Sequence, residues 1–234
     1  MKKSSYIGLI IIILIFAILV VPKIIDRLSN NATVDSSRSV KPGFKALDYI
    51  KINGESKKVP DFLFLNQDSI YVSNEDYLGK VYVVEFFFTR CPSICPIMNK
   101  NMKVLHDAFG TDENFGIASF TIDPDYDTPS VLKKYAEGYV GTQVSWNFLT
   151  GPKSSVYEIA NKGFNIFAEI NPAVAGGFEH QGYFALIDKN GFIRSRQDAY
   201  GNPIVYYLGL DEEDVEEQGV DMLLTDIDLL LNEN

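Results

Sequence analysis

The chain has 234 residues, 46% hydrophobic and 13% aromatic, values that suit one well-buried domain and argue against intrinsic disorder. Its net charge of −10 argues against nucleic acid or an anionic membrane surface as the partner. Two cysteines are too few for a disulfide scaffold, and a lone close pair points to catalytic, redox or metal chemistry.

Taken in chain order, Met1-Lys2-Lys3 precedes a charge-free stretch from Ser4 to Pro22 whose apolar middle runs from Tyr6 to Val21. As a helix it would span about 28 Å, close to the hydrocarbon thickness of a bilayer. A cleaved signal peptide is the competing interpretation. No small-x-small cleavage site follows the apolar run, so an uncleaved transmembrane anchor is expected over residues 1–28. A large domain behind a single N-terminal anchor usually translocates, which puts the remainder outside the cytoplasm, on a bacterial inner membrane facing the periplasm. Residues 29–45, polar and ending in Lys41-Pro42-Gly43, are predicted to be a flexible linker, and 46–234 the folded domain.

Within that domain, Pro60 to Ser69 predicts a short strand and a turn. Lys80 to Phe88 is rich in β-branched and aromatic residues and predicts a buried central strand. After a Pro-flanked turn, Ile94, Ile97, Met98, Met102 and Leu105 recur at helical spacing. Phe115 to Asp123 predicts the next strand. Thr128-Pro129 opens a helix to about Tyr139, with the hydroxyl at its cap. Trp146 to Thr150 predicts a strand and Pro152 to Gly163 a helix. Tyr183 to Asp188 and Phe192 to Ser195 predict a hairpin around Asn190-Gly191. Asp211 to Leu231 predicts an amphipathic helix with acids in its first turns. This order gives an α/β fold with a central mixed sheet flanked by helices. A dithiol where the central strand passes into its helix makes the order thioredoxin-like.

That dithiol is Cys91 and Cys95, in Phe86-Phe87-Phe88-Thr89-Arg90-Cys91-Pro92-Ser93-Ile94-Cys95-Pro96. The first thiol falls in the strand-to-helix loop and the second in the first helical turn, where the helix N-terminus lowers thiol pKa. Thiolates attack disulfides and bind soft metals, so two chemistries are open: a redox-active dithiol, in which Cys91 attacks and Cys95 resolves, or a metal clamp. Of the two histidines, His106 lies on a polar stretch of the same helix and is expected at the surface. His180 lies in Gly176-Gly177-Phe178-Glu179-His180-Gln181-Gly182, before the hairpin strand. In a thioredoxin-like topology that loop faces the dithiol, and oxidoreductases of that type normally carry a proline there, which this chain lacks. Two thiolates and an imidazole suit Cu(I), with Cu(II) needing a further ligand; the alternative is a loop histidine bonded locally. Asp123 is expected to end its strand and to be able to tune the site, Asp127 to help cap the next helix, and Met98 and Met102 to pack the core.

The chain resembles the Sco/SenC family of copper proteins involved in cytochrome c oxidase assembly. The resemblance rests on Phe87-Phe88-Thr89-Arg90-Cys91-Pro92-Ser93-Ile94-Cys95-Pro96, on Thr121-Ile122-Asp123-Pro124-Asp125-Tyr126-Asp127-Thr128-Pro129, and on Glu179-His180 ahead of Tyr183-Phe184-Ala185-Leu186-Ile187-Asp188. It implies a thioredoxin-like fold with Cys91, Cys95 and His180 as copper ligands, for Cu(I), Cu(II) or both. It also implies a metallochaperone that delivers copper to subunit II of cytochrome c oxidase or a related copper protein, with a thiol–disulfide reductant as a further partner. The alternative is a membrane-anchored thiol–disulfide oxidoreductase, and a peroxide-reducing role is a third. Against the family pattern, Arg90 adds a charge that would stabilise the Cys91 thiolate. Glu179 stands where an Asp is common and is expected to support the histidine.

Overall fold

The computed structural model describes Phe16 and residues 47–140, 145–198, 200–215 and 217–233. The anchor predicted over 1–28 and the linker over 29–45 lie outside them, Phe16 apart. Among the described residues no helix is long and apolar enough to cross a membrane. The described residues between 47 and 198 and between 202 and 233 form one compact unit.

Three two-residue strands come first, β1 (Asp48–Tyr49), β2 (Lys51–Ile52) and β3 (Glu55–Ser56), followed by the hairpin β4 (Leu63–Leu65) and β5 (Tyr71–Ser73). Then follow β6 (Val81–Phe87), α1 (Cys95–Phe109), β7 (Phe115–Thr121), α2 (Pro129–Ala136) and β8 (Trp146–Leu149). Helix α3 (Lys153–Glu158) continues into a π turn (Ile159–Phe164). The chain ends with β9 (Ala168–Ile170), β10 (Phe178–His180), β11 (Tyr183–Ile187), β12 (Ile193–Ser195), β13 (Tyr207–Leu208) and α4 (Gly219–Asn232).

The main sheet runs β1-β12-β11-β6-β7-β8, with β13 also paired to β11. β6, β7 and β8 are parallel, joined by α1 and α2 as crossovers, while β11 lies antiparallel to β6. The sheet is therefore mixed, as the element order predicts. β6 is buried along its whole length because neighbouring strands flank both edges and other elements cover both faces. Phe86 meets Phe120 and Phe164 on one face, and Phe87 stacks on Tyr135 of α2 on the other. Glu85, on the Phe87 side, is the only charged residue in the strand.

Three local expectations change, and the predicted hairpin holds. Helix α2 stops at Ala136, and the hydroxyl of its cap residue Thr128 faces Ser130 Oγ instead of a helix N–H. Residues 159–164 widen into a π turn, closed by Asn165 in the left-handed conformation. The hairpin turn keeps Gly191 left-handed (φ 81°), with Asp188 Oδ1 accepting from the N–H of Asn190 and of Phe192. The acidic run 211–217 precedes α4 instead of forming its first turns. Gln218 caps the helix, and Asp221 supplies the first-turn acid.

Candidate metal centre

The strand-to-helix passage places the two sulfurs. β6 ends at Phe87, the chain turns through residues 88–94, and α1 begins at Cys95 with Pro96 in its first turn. No side chain caps α1 in the usual way. Instead the Cys95 N–H points at Cys91 Sγ, 3.4 Å away. A sulfur thus takes the place of a capping oxygen, and the positive end of the helix lies against it.

His180 arrives from across the site. It is the last residue of β10, not part of an open loop, and pairs with Ala168 of β9. Its Nε2 lies 3.3 Å from Cys95 Sγ, and its Nδ1 lies 3.2 Å from the Gln181 carbonyl. An Nδ1–H donated to that carbonyl leaves Nε2 as the free electron pair facing the thiols. Cys91 Sγ, Cys95 Sγ and the ring nitrogen lie within 4.8 Å of one another, and both cysteines are free thiols. Cys95 is fully buried, Cys91 nearly so and His180 half-buried.

The two thiols differ. The hydrogen bond from Cys95 is the main cause that lowers the Cys91 pKa to about 3; burial opposes it, and His180 and the N–H groups of Cys95 and Ser93 assist. Burial, reinforced by the charge and hydrogen bond of Cys91, pushes Cys95 far up. The pair is thus asymmetric, with the thiolate favoured on Cys91 at the rim and the thiol on Cys95 beneath it. Two sulfurs and one imidazole form a soft donor set of the kind that holds a thiophilic ion, and the same asymmetry suits a nucleophile with its resolving thiol.

Around the donors, Phe88 packs against Phe178 (5.1 Å between centroids) and edge-on to His180 (6.0 Å). Gly176 has φ 89°, and a Cβ there would sit 3.0 Å from both Phe88 and Pro92, so only glycine lets this loop close over the Cys91 turn. A cleft of about 240 Å³, lined by Phe88, Cys91, Ile94, Val174, Phe178 and His180, opens beside the thiolate. A larger groove of about 480 Å³ at Pro60, Phe62 and Gly163 contains none of the donors.

Several neighbours depart from expectation. Arg90 does not aim its charge at Cys91: it binds Asp123 through Nε and Nη2 (3.2 and 2.5 Å) and lies over the Tyr126 ring at 3.9 Å. Asp123 is thereby engaged by Arg90. Glu179 does not support His180 either, since it accepts from Asn171 Nδ2 (2.8 Å) and the Gln181 carbonyl serves the imidazole. His106 is buried against Trp146 with neither ring nitrogen hydrogen-bonded, and burial lowers its pKa. Asp127 does not cap α2; its carboxylate receives Thr89 and Thr121. Met98 and Met102 pack in the core as expected. Missed altogether were Ser93, whose Oγ lies 3.7 Å from Cys91 Sγ, and the Gln181 carbonyl, a backbone group without a sequence signal.

Fold and site together define a thioredoxin-like α/β protein that closes a dithiol against a histidine from a facing strand. The SCO1/SenC family model matches residues 51–209, and the chain belongs to that family. It is 36% identical to the SCO1 protein homolog of Bacillus subtilis (strain 168) over 136 residues, 57% of this chain and 70% of that protein. Among solved structures it is similar to BsSco, described as a Sco-family cytochrome c oxidase assembly protein with a disulfide switch. That match has 30% identity and a TM-score of 0.61, over 80% of this chain and 98% of that one. ScoI of Bradyrhizobium japonicum, solved with copper bound, aligns at 19% identity with a TM-score of 0.58, over 74% and 99% of the two chains; at that identity the likeness is one of fold.

Proposed function

We propose that this protein is a copper metallochaperone that takes copper on Cys91, Cys95 and His180 and passes it by ligand exchange to a copper protein. The client would be subunit II of cytochrome c oxidase or a related protein, and the domain would be held outside the cytoplasm by the N-terminal anchor. The convergence of the three donor atoms within 4.8 Å carries the proposal. Two sulfurs and one nitrogen favour Cu(I) over hard ions. The oxidase-assembly description of BsSco supports the same assignment. The site lies near the surface, with Cys91 at its rim, as transfer to another protein requires.

The test is Cu(I) titration of the reduced, detergent-solubilised full chain against a chromophoric chelator, as wild type and His180→Ala. One equivalent should bind tightly, and loss of His180 should weaken binding by about tenfold or more. Weak wild-type binding, or an unchanged affinity in His180→Ala, would remove the metal site from consideration.

The low pKa of Cys91 above a protonated Cys95 supports a second reading, a thiol–disulfide oxidoreductase acting on exported dithiol proteins. In that case the chain would exchange disulfides with a reductant and a client at a rate that removal of His180 leaves largely intact.

A further inference from the structure

Residues 88–94, which carry Cys91 from β6 to α1, have no sheet or helix of their own to hold them. Beyond Phe87 the β6 ladder has ended, and the N–H of Thr89 needs a partner elsewhere. That partner is Asp127, a fully buried residue that ends the tight turn after β7, with its own N–H on the Asp123 carbonyl at 2.8 Å. Asp127 Oδ2 accepts the Thr89 N–H at 3.0 Å, and Oδ1 accepts the Thr89 hydroxyl. The Thr121 hydroxyl at the end of β7 also donates to Oδ2.

We propose that Asp127 is a positioning residue for the metal centre: its carboxylate forks onto Thr89 and ties the Cys91 turn to the end of β7. This rests on the copper reading of the site and extends it to a residue that touches none of the donors. The second side of the turn is fixed by the Gly176 loop packed on Phe88 and Pro92. The turn is therefore held between the strand-to-helix connection of β7 and the segment that leads to His180. The Arg90–Asp123 pair also touches the turn, but the Arg90 side chain is half-exposed. An ion pair with one half-exposed partner holds geometry less firmly than a buried carboxylate with three donors, which is costly to disturb. Donor placement to a fraction of an ångström governs a site of this kind.

The role is one of hydrogen-bond geometry and not of charge, which makes it separable by substitution. In Asp127→Asn the amide oxygen can keep the Thr89 N–H and the Thr121 hydroxyl. The amide nitrogen can donate to the Thr89 hydroxyl, which rotates to accept. Asp127→Ala removes all three bonds. Thr89→Val removes one hydroxyl and keeps the backbone bond, and serves if the alanine variant does not fold.

The experiment measures Cu(I) affinity against a chromophoric chelator and the reduction potential of the Cys91–Cys95 pair in glutathione buffers, on the full chain in detergent. Asp127→Ala should weaken Cu(I) binding about tenfold or more and shift the dithiol potential. Thr89→Val should give a smaller change in the same direction, and Asp127→Asn should stay within about threefold of wild type. An asparagine variant as impaired as alanine, or an alanine variant with unchanged affinity and potential, overturns the proposal. If wild type itself binds no Cu(I), the copper reading fails and the potentials alone decide. The same order among the variants then supports the positioning role, and identical potentials overturn it.

Discussion

Glu85 shows what a single residue contributes in this interior. It sits six residues before Cys91 on the central strand, fully buried, with Oε1 accepting from Ser119 Oγ at 2.6 Å and Oε2 without a hydrogen-bond partner. Burial is the main cause that raises its pKa to about 7, and the Ser119 bond only partly offsets it. A carboxyl whose folded pKa lies above its unfolded value binds more protons folded than unfolded. Its favourable contribution is complete below the unfolded pKa near 4.5 and is lost as pH rises through about 7. Chemical denaturation should therefore show Glu85→Gln matching wild type at pH 4–5 and exceeding it by roughly 3 kcal/mol at pH 8. An equal difference at both pH values would mean that the carboxyl does not titrate in this window. The sequence shows the residue, a lone acid in Val-Tyr-Val-Val-Glu-Phe-Phe, but not its partner. Ser119 lies 34 residues away and meets Glu85 only through the parallel register of β6 and β7.

At the scale of elements, the centre is built where three pieces meet: the turn after β6, the N-terminus of α1, and the β9–β10 hairpin. The sheet register sets two of them and glycine conformation the third. Gly176 and Gly177 both have positive φ, but only Gly176 lies against other side chains, and a Cβ on Gly177 would meet open space. Gly177→Ala should cost about 1–2 kcal/mol for the left-handed backbone and leave copper affinity near wild type. Gly176→Ala should cost more and also weaken Cu(I) binding several-fold, because the loop must lift from Phe88 and Pro92. Thermal melts and chelator competition on the two variants separate the effects; identical behaviour would show that loop closure does not govern the site. The strand, the helix and the cysteine spacing were legible in the sequence because they follow from local periodicity. The β9–β10 pairing was not: both strands are three residues long, too short for an alternating pattern to stand out from the surrounding loop.

At the scale of the whole domain, Arg194 joins segments that are distant in sequence. Buried on β12, it bonds Asp188 Oδ2 (2.9 Å), both carboxylate oxygens of Glu233 and the Leu47 carbonyl (2.7 Å), and lies over the Tyr49 ring at 4.1 Å. One guanidinium thereby holds the first strand, the β11–β12 turn and the end of α4 together. Arg194→Met leaves Asp188 buried without its cation and should lower unfolding free energy by about 3–5 kcal/mol. Cu(I) affinity measured on the folded fraction should be unchanged, because Arg194 contacts none of the site residues. A loss below about 1 kcal/mol would mean that water replaces the guanidinium at little cost.

What the sequence determined by itself was whatever depends on residues close in the chain: the buried central strand, the helix that opens on Cys95, the two thiols four positions apart, and through them the α/β order. It also singled out His180, since a histidine before the hairpin strand stands where this topology faces the dithiol. The tertiary structure decided how charge and hydrogen bonds are shared among those groups. Arg90 turns to Asp123, the Gln181 carbonyl accepts the imidazole hydrogen bond expected of Glu179, and Asp127 reaches back 38 residues to Thr89. Each of these residues has several partners compatible with its local sequence. Which one it meets is set by strand register and by the way the loops close over the end of the sheet, and neither is encoded within a few residues of the group concerned.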